Sequence, residues 1–246
     1  MANWSDPRTG GMSFGAGASA ATQASYDAGL RSYMLSVYNY MASGVLLTGL
    51  VAMLFAGSGL AYQVLAGPGI LKYVIMFAPL AFVLVLSFGI NKLSTAAAQG
   101  LFWAYAAVMG LSMASIFLVY TGTSIAQTFF ATAAAFAGLS LVGYTTKKDL
   151  SGFGTFLIMG LVGLIVASLI NIFLKSSVMD LAISAIGVLI FAGLTAYDTQ
   201  RIKESYAYVA GTDMAGKSVV MGALSLYLDF INLFMMLLRF MGSSRD

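Results

Sequence analysis

Apolar positions along this chain run together instead of alternating with polar ones. After residue 31, uninterrupted apolar stretches of about 20 residues recur between brief polar breaks, each long enough to cross a hydrocarbon core of roughly 30 Å. Seven are legible, at 37–56, 70–90, 101–120, 125–144, 153–174, 179–198 and 219–240. Lipid offers the backbone no hydrogen-bond partner, so spanning segments are α-helices or a closed barrel. Barrel strands would alternate apolar and polar side chains, and these segments do not. The pattern predicts an all-α membrane protein, a seven-transmembrane-helix bundle over 32–241 with a short tail at 242–246.

The Gly-, Ala- and Ser-rich residues 1–31 contain no apolar core for a signal peptide and read as a disordered cytoplasmic arm. The alternative is a short interfacial helix starting around 33–40. Inside the spans, Gly44, Gly49, Gly110, Gly138, Gly160, Gly163 and Gly187 are placed to let helices approach closely.

Composition sharpens this picture. Sixty per cent of the 246 residues are hydrophobic and 9% are charged, far below the quarter or so typical of soluble domains. The chain has no cysteine and no histidine. That excludes disulfides, a thiolate or imidazole zinc site, a cysteine nucleophile and an imidazole base, and leaves proton sensing to carboxylates. The net charge of +3 is spread thinly, unlike a nucleic-acid-binding stripe, so no nucleic-acid partner is expected and the bilayer is the main one. Arg8, Arg31, Lys92, Lys147, Lys148, Arg201, Lys203 and Lys217 fall on one side of the membrane and Lys72, Lys175, Arg239 and Arg245 on the other. By the positive-inside rule the N-terminus is cytoplasmic and the C-terminus lies across the membrane. The loops are short apart from 199–218, so no soluble catalytic domain is attached and the chain does not read as an enzyme.

Of nine acids, Asp6, Asp27, Asp149, Asp180, Glu204, Asp213 and Asp246 lie where water reaches them. Asp198 closes the sixth span and Asp229 lies inside the seventh. An ionisable group at that depth costs about 3 kcal/mol and marks a functional site facing the bundle interior. At 100° per residue, Gly222, Ser225, Asp229, Asn232 and Arg239 share an arc of about 100°. Asp180, Ser184, Gly187, Thr195 and Asp198 form a matching stripe on the sixth span. If the two seams face each other the carboxyls meet, and two like charges in a low dielectric favour a shared proton. Plainer readings compete. Asp198 could pair on the surface with Arg201, Asp229 could bond a hydroxyl on a neighbouring helix, Arg239 could snorkel to the interface, and Lys92 could be orientation charge. Depth is a further obstacle: on these boundaries Asp198 sits at the membrane edge and Asp229 about 15 Å deep, unless the sixth helix continues through 201–204.

The segments FAGLTAYDTQRIK and GALSLYLDFINLF, with weaker support from 78–94 and 110–115, resemble the Bax inhibitor family, the transmembrane BAX inhibitor motif proteins, in its bacterial YccA-like branch. The resemblance covers 32–240. It implies six helices around a central seventh, residence in a bacterial inner membrane with a periplasmic C-terminus, and, as reported for some members, a calcium leak gated by two aspartates. Carried over, these are Asp198 and Asp229, with Lys92 nearest to the family's basic residue on the second helix. The second span has no acid to partner Arg239, which departs from an outer ionic latch. Calcium prefers six to eight oxygens. Two carboxylates with Ser225, Asn232 and water suit transient Ca²⁺ passage, with Thr195 and Arg239 as further pore-lining candidates and no resident cofactor. A different class of reading is a non-transporting regulator of a membrane-anchored AAA protease, handled through the arm. A retinal photoreceptor is excluded because the seventh span lacks a central lysine, and an aspartyl intramembrane protease because AYDTQ and YLDFI lack its GxGD context. A proton-coupled carrier of small solutes stays open.

Overall fold

A computed structural model describes residues 14–245, with side-chain surroundings from Gln23 onward. The helices are α1 (Phe14–Gly57), α2 (Leu71–Gly89), α3 (Thr95–Met113), the single turn α4 (Ile116–Val119), α5 (Gly122–Thr145), α6 (Ser151–Leu174), α7 (Ser177–Val209) and α8 (Ala215–Met241). A π-helical turn at Tyr62–Ala66 joins α1 to α2. Seven of these segments are long and apolar enough to span a membrane, α3 and α4 together forming the third. Among the described residues there is no sheet, only an isolated bridge between Tyr120 and Ser244.

Local chemistry sets several helix ends. The hydroxyls of Ser94, Thr121 and Ser176 accept from the amides of Ala97, Ser124 and Met179 at the starts of α3, α5 and α7. Asp149, in the loop before α6, accepts from the Ser151 amide at 2.8 Å. Hydrogen bonding from the Ser151 side chain and, second to it, from this amide holds its carboxyl below the usual carboxylate range. The C-terminal tail is tied back to the α4–α5 turn through Thr121 N–H to Ser243 O at 3.1 Å and Arg245 N–H to Val119 O at 2.8 Å.

The seventh span, α8, is the axis of the bundle. It packs against α7, α1, α5 and α3, while α6 leans on α7 and α2 on α3. Its most apolar stretch is 61% buried, against 39% or less in every other span. Tyr227 fixes its rotation: the hydroxyl bonds Thr48 Oγ1 of α1 at 2.6 Å, and the ring meets Tyr105 of α3 edge-on at 5.2 Å. Asp229 lies two residues on, about 200° round the helix. Pinning Tyr227 against α1 and α3 therefore turns Asp229 toward α7.

Two expectations change. The disordered arm over 1–31 is helical from Phe14 onward and continuous with the first span; residues 1–13 lie outside the described residues. Ala-rich sequence has high helix propensity, and a helix already nucleated in the membrane extends cheaply. Tyr26 of that stretch packs on Tyr206 of α7, ring centroids 5.2 Å apart. The glycines also divide. A methyl on Gly110 would meet the Thr48 carbonyl and one on Gly187 would meet Met236, whereas Gly49, Gly138 and Gly163 face open space and mediate no helix approach.

Candidate functional site

The sixth-span helix does not stop at Asp198. Helix α7 runs eleven residues further, to Val209, and α8 begins at Ala215, fourteen residues before Asp229. The helices are antiparallel, so both acids lie at similar distances from their shared connection, and the depth mismatch expected from the sequence disappears. The carboxyl groups of Asp198 and Asp229 are within hydrogen-bonding reach of each other. Asp198 also reaches the Ser225 hydroxyl and feels the Arg201 guanidinium one turn along α7. Asp229 is 5% exposed, and its Oδ2 is buried without a hydrogen-bond partner among the described residues. An oxygen left in that state costs free energy unless a proton or cation reaches it.

Three cavities follow the polar seam of α8. The middle one, about 540 Å³ between α6, α7 and α8, is lined by Asp198, Arg201, Ser225, Asp229 and Asn232 against an apolar wall from α6. An inner one of about 180 Å³ shares Asp198, Arg201 and Ser225 with it and adds Tyr33, Ser205 and Ser218. An outer one of about 340 Å³ shares Ser168 and Ile172 with the middle cavity and holds Asn171, Lys175, Asp180 and Arg239. Asp198 thus stands where the inner and middle cavities adjoin, with Asp229 in the middle one. Asn232 donates to its own helix at Leu228 O (2.8 Å) while facing the middle cavity.

Other predicted residues are placed differently. Thr195 is fully buried, bonds the Phe191 carbonyl at 2.8 Å and lines none of these three cavities. Lys92 is exposed in the turn after α2, a helix that packs on α3, and the cation beside Asp198 is Arg201. Arg239 lines the outer cavity, away from the acids.

Tyr33, Ser205 and Ser218 were not among the residues singled out from the sequence. The Tyr33 hydroxyl bonds Ser218 Oγ at 2.7 Å and Ser205 Oγ at 3.2 Å, closing the inner cavity. Their signal was the helical period: Ser205 follows Asp198 by seven residues and Ser218 precedes Ser225 by seven, two turns along the same faces. Gln200 was also passed over. It accepts from Leu150 N–H and donates to Lys148 O, both at 2.8 Å, clamping the α5–α6 loop to α7 beside the site.

Among the described residues no three acids converge, so the site supplies two carboxylates and neutral oxygens instead of a closed cation cage. Comparison with known proteins agrees with the motifs. The profile of the family described as "Inhibitor of apoptosis-promoting Bax1" matches residues 30–246. Inner membrane protein YbhL of Escherichia coli K12 is 48% identical over 220 residues, covering 89% of this chain and 94% of that protein. Uncharacterized proteins of Rickettsia prowazekii and Caulobacter vibrioides are each 49% identical over 90% of this chain, and over 93% and 92% of their own lengths. With a family match over most of its length and a seven-helix bundle carrying both motifs, the chain belongs to the Bax inhibitor family of multi-pass membrane proteins.

Proposed function

We propose that this protein is a pH-responsive calcium leak in a bacterial inner membrane, opened and closed by the Asp198–Asp229 pair. The observation that carries the proposal is that Asp198 and Asp229 line the middle cavity within hydrogen-bonding reach of each other, with Asp198 also lining the inner one. With a proton shared between them the pair is compact, and α7 stays closed on α8. With the proton gone, two adjacent negative charges repel each other and attract a divalent cation. Ser225 and Asn232 add oxygen ligands in the same cavity, and few ligands mean weak binding, which permeation requires. The string of three cavities supplies a route along α8.

The inner-membrane location rests on the name of the relative YbhL. The excess of basic residues at the Arg31, Lys147 and Lys203 end supports a cytoplasmic position for that end and for the N-terminus. Calcium influx into liposomes, followed from acidic to mildly alkaline pH, tests the reading. Wild-type influx rises with pH, because losing the shared proton favours the charged pair, and the profiles of Asp198→Asn and Asp229→Asn are flat. A wild-type pH profile preserved in both variants would remove the proposed switch.

A further inference from the structure

Helices α1 and α5 have little direct contact with each other, and both pack on α8. The seam between them opens toward the surrounding lipid as two successive cavities. One is bounded by residues 31–42 of α1 and 136–144 of α5, the other by 45–53 and 122–130. The first has a volume of about 630 Å³ and walls that include Met34, Leu35, Tyr38, Phe136, Ala137 and Leu141. From Arg31 to Ala42 it extends about 16 Å along α1, close to half of a hydrocarbon core of roughly 30 Å. It therefore occupies the depth of one leaflet.

Its two ends differ chemically. The charged side chain in its lining is Arg31, beside Tyr144 at the mouth. Lys203 of α7 reaches the same mouth, with Nζ 2.8 Å from the Tyr144 carbonyl and 5.1 Å from the centre of its ring. An ammonium has three donors, so Lys203 keeps two for another acceptor. Lys147 and Lys148 follow in the adjoining loop. Asp27, Asp149 and Glu204 flank this end without lining the cavity. Deeper in, the walls are apolar apart from Ser140, whose hydroxyl is bonded to Thr199 Oγ1 at 3.1 Å. A site with an oily slot one leaflet deep and two cations at its mouth matches a molecule with acyl chains and an anionic head. Basic pockets between membrane helices are recognised sites for such headgroups.

We propose that the α1–α5 seam is a binding site for one anionic phospholipid, its chains in the first cavity and its phosphate held by Arg31 and Lys203. This site is separate from the acid pair and does not depend on the proposed leak.

Native mass spectrometry of the full-length protein, equilibrated with equal amounts of phosphatidylglycerol and phosphatidylcholine, tests it. The wild type retains the anionic lipid at least about fivefold over the zwitterionic one, as expected for one basic side chain at a membrane surface. Arg31→Gln brings that ratio toward one. Ala137→Trp, which fills the slot, lowers retention of both lipids. Leu141→Trp, on an exposed rim position with little packing to lose, does the same if Ala137→Trp does not fold. Equal retention of both lipids by the wild type would mean ordinary annular lipid and overturn the proposal. Undiminished retention in a folded tryptophan variant, or a dimer that carries no lipid, would overturn it equally.

Discussion

Combining Asp198→Asn with Asp229→Asn is expected to reduce calcium influx at alkaline pH no further than either substitution alone. Each single variant loses at least about tenfold. Two unit charges 4 Å apart interact by about 4 kcal/mol at the effective dielectric near a protein surface, and a third of that already corresponds to a factor of ten. If the two acids acted separately, their losses would multiply. In the structure both acids line one cavity within hydrogen-bonding reach of each other, so removing one removes the divalent site that both create. Residues that act as a unit are strongly non-additive. Influx measured in liposomes for the two single variants and the double variant closes the cycle. A double variant that multiplies the single losses would separate the acids functionally, whatever their proximity.

Replacing Gly143 by alanine is expected to destabilise the bundle by about 1–3 kcal/mol or more, as overpacking does, while the same change at Gly138 stabilises it slightly. Both glycines lie in α5. A methyl on Gly143 would run into the Ala196 carbonyl oxygen and lie 2.9 Å from its carbonyl carbon, so the obstruction is the backbone of α7 and no side chain can swing aside. Around Gly138 there is nothing within 4 Å, and alanine is the better helix former by roughly 0.5–1 kcal/mol. The contact lies two residues before Asp198, so loosening α5 from α7 also displaces the acid. Thermal unfolding in detergent distinguishes the two variants by the sign of the shift in melting temperature. Equal shifts would contradict the close α5–α7 approach.

The sequence announced the bundle because a lipid solvent leaves the backbone so few options that the apolar runs alone define the helices. The seam on α8 was legible for the same geometric reason. Ser225, Asp229 and Asn232 recur at helical spacing among apolar neighbours, and all three line the middle cavity. The facing of α7 and α8 was not legible, because hydropathy ends a span where polar residues begin, and TQRIKES is polar. The helix itself continues there to Val209, held by Gln200 and by Tyr33 on the Ser205 and Ser218 hydroxyls. Thr195 lies on the same stripe as Asp198 but outside the three cavities. Its hydroxyl is satisfied by the preceding turn and its surface is covered by packing. Spacing identifies a face; it does not say which part of that face meets a cavity. Lys92 offered a charge at a helix end, and Arg201, one turn from Asp198, was the simpler partner from the outset.

The central claim is that Asp198 and Asp229 hold one proton between them and that its release opens the path for calcium. Infrared difference spectroscopy of the reconstituted protein observes that proton directly, because a protonated carboxyl absorbs apart from a carboxylate. The account predicts a protonated-carboxyl band that disappears over the same pH interval in which calcium influx rises, and that is absent or displaced in Asp198→Asn and Asp229→Asn. A band that persists unchanged while influx rises, or one that survives unaltered in both variants, would contradict it.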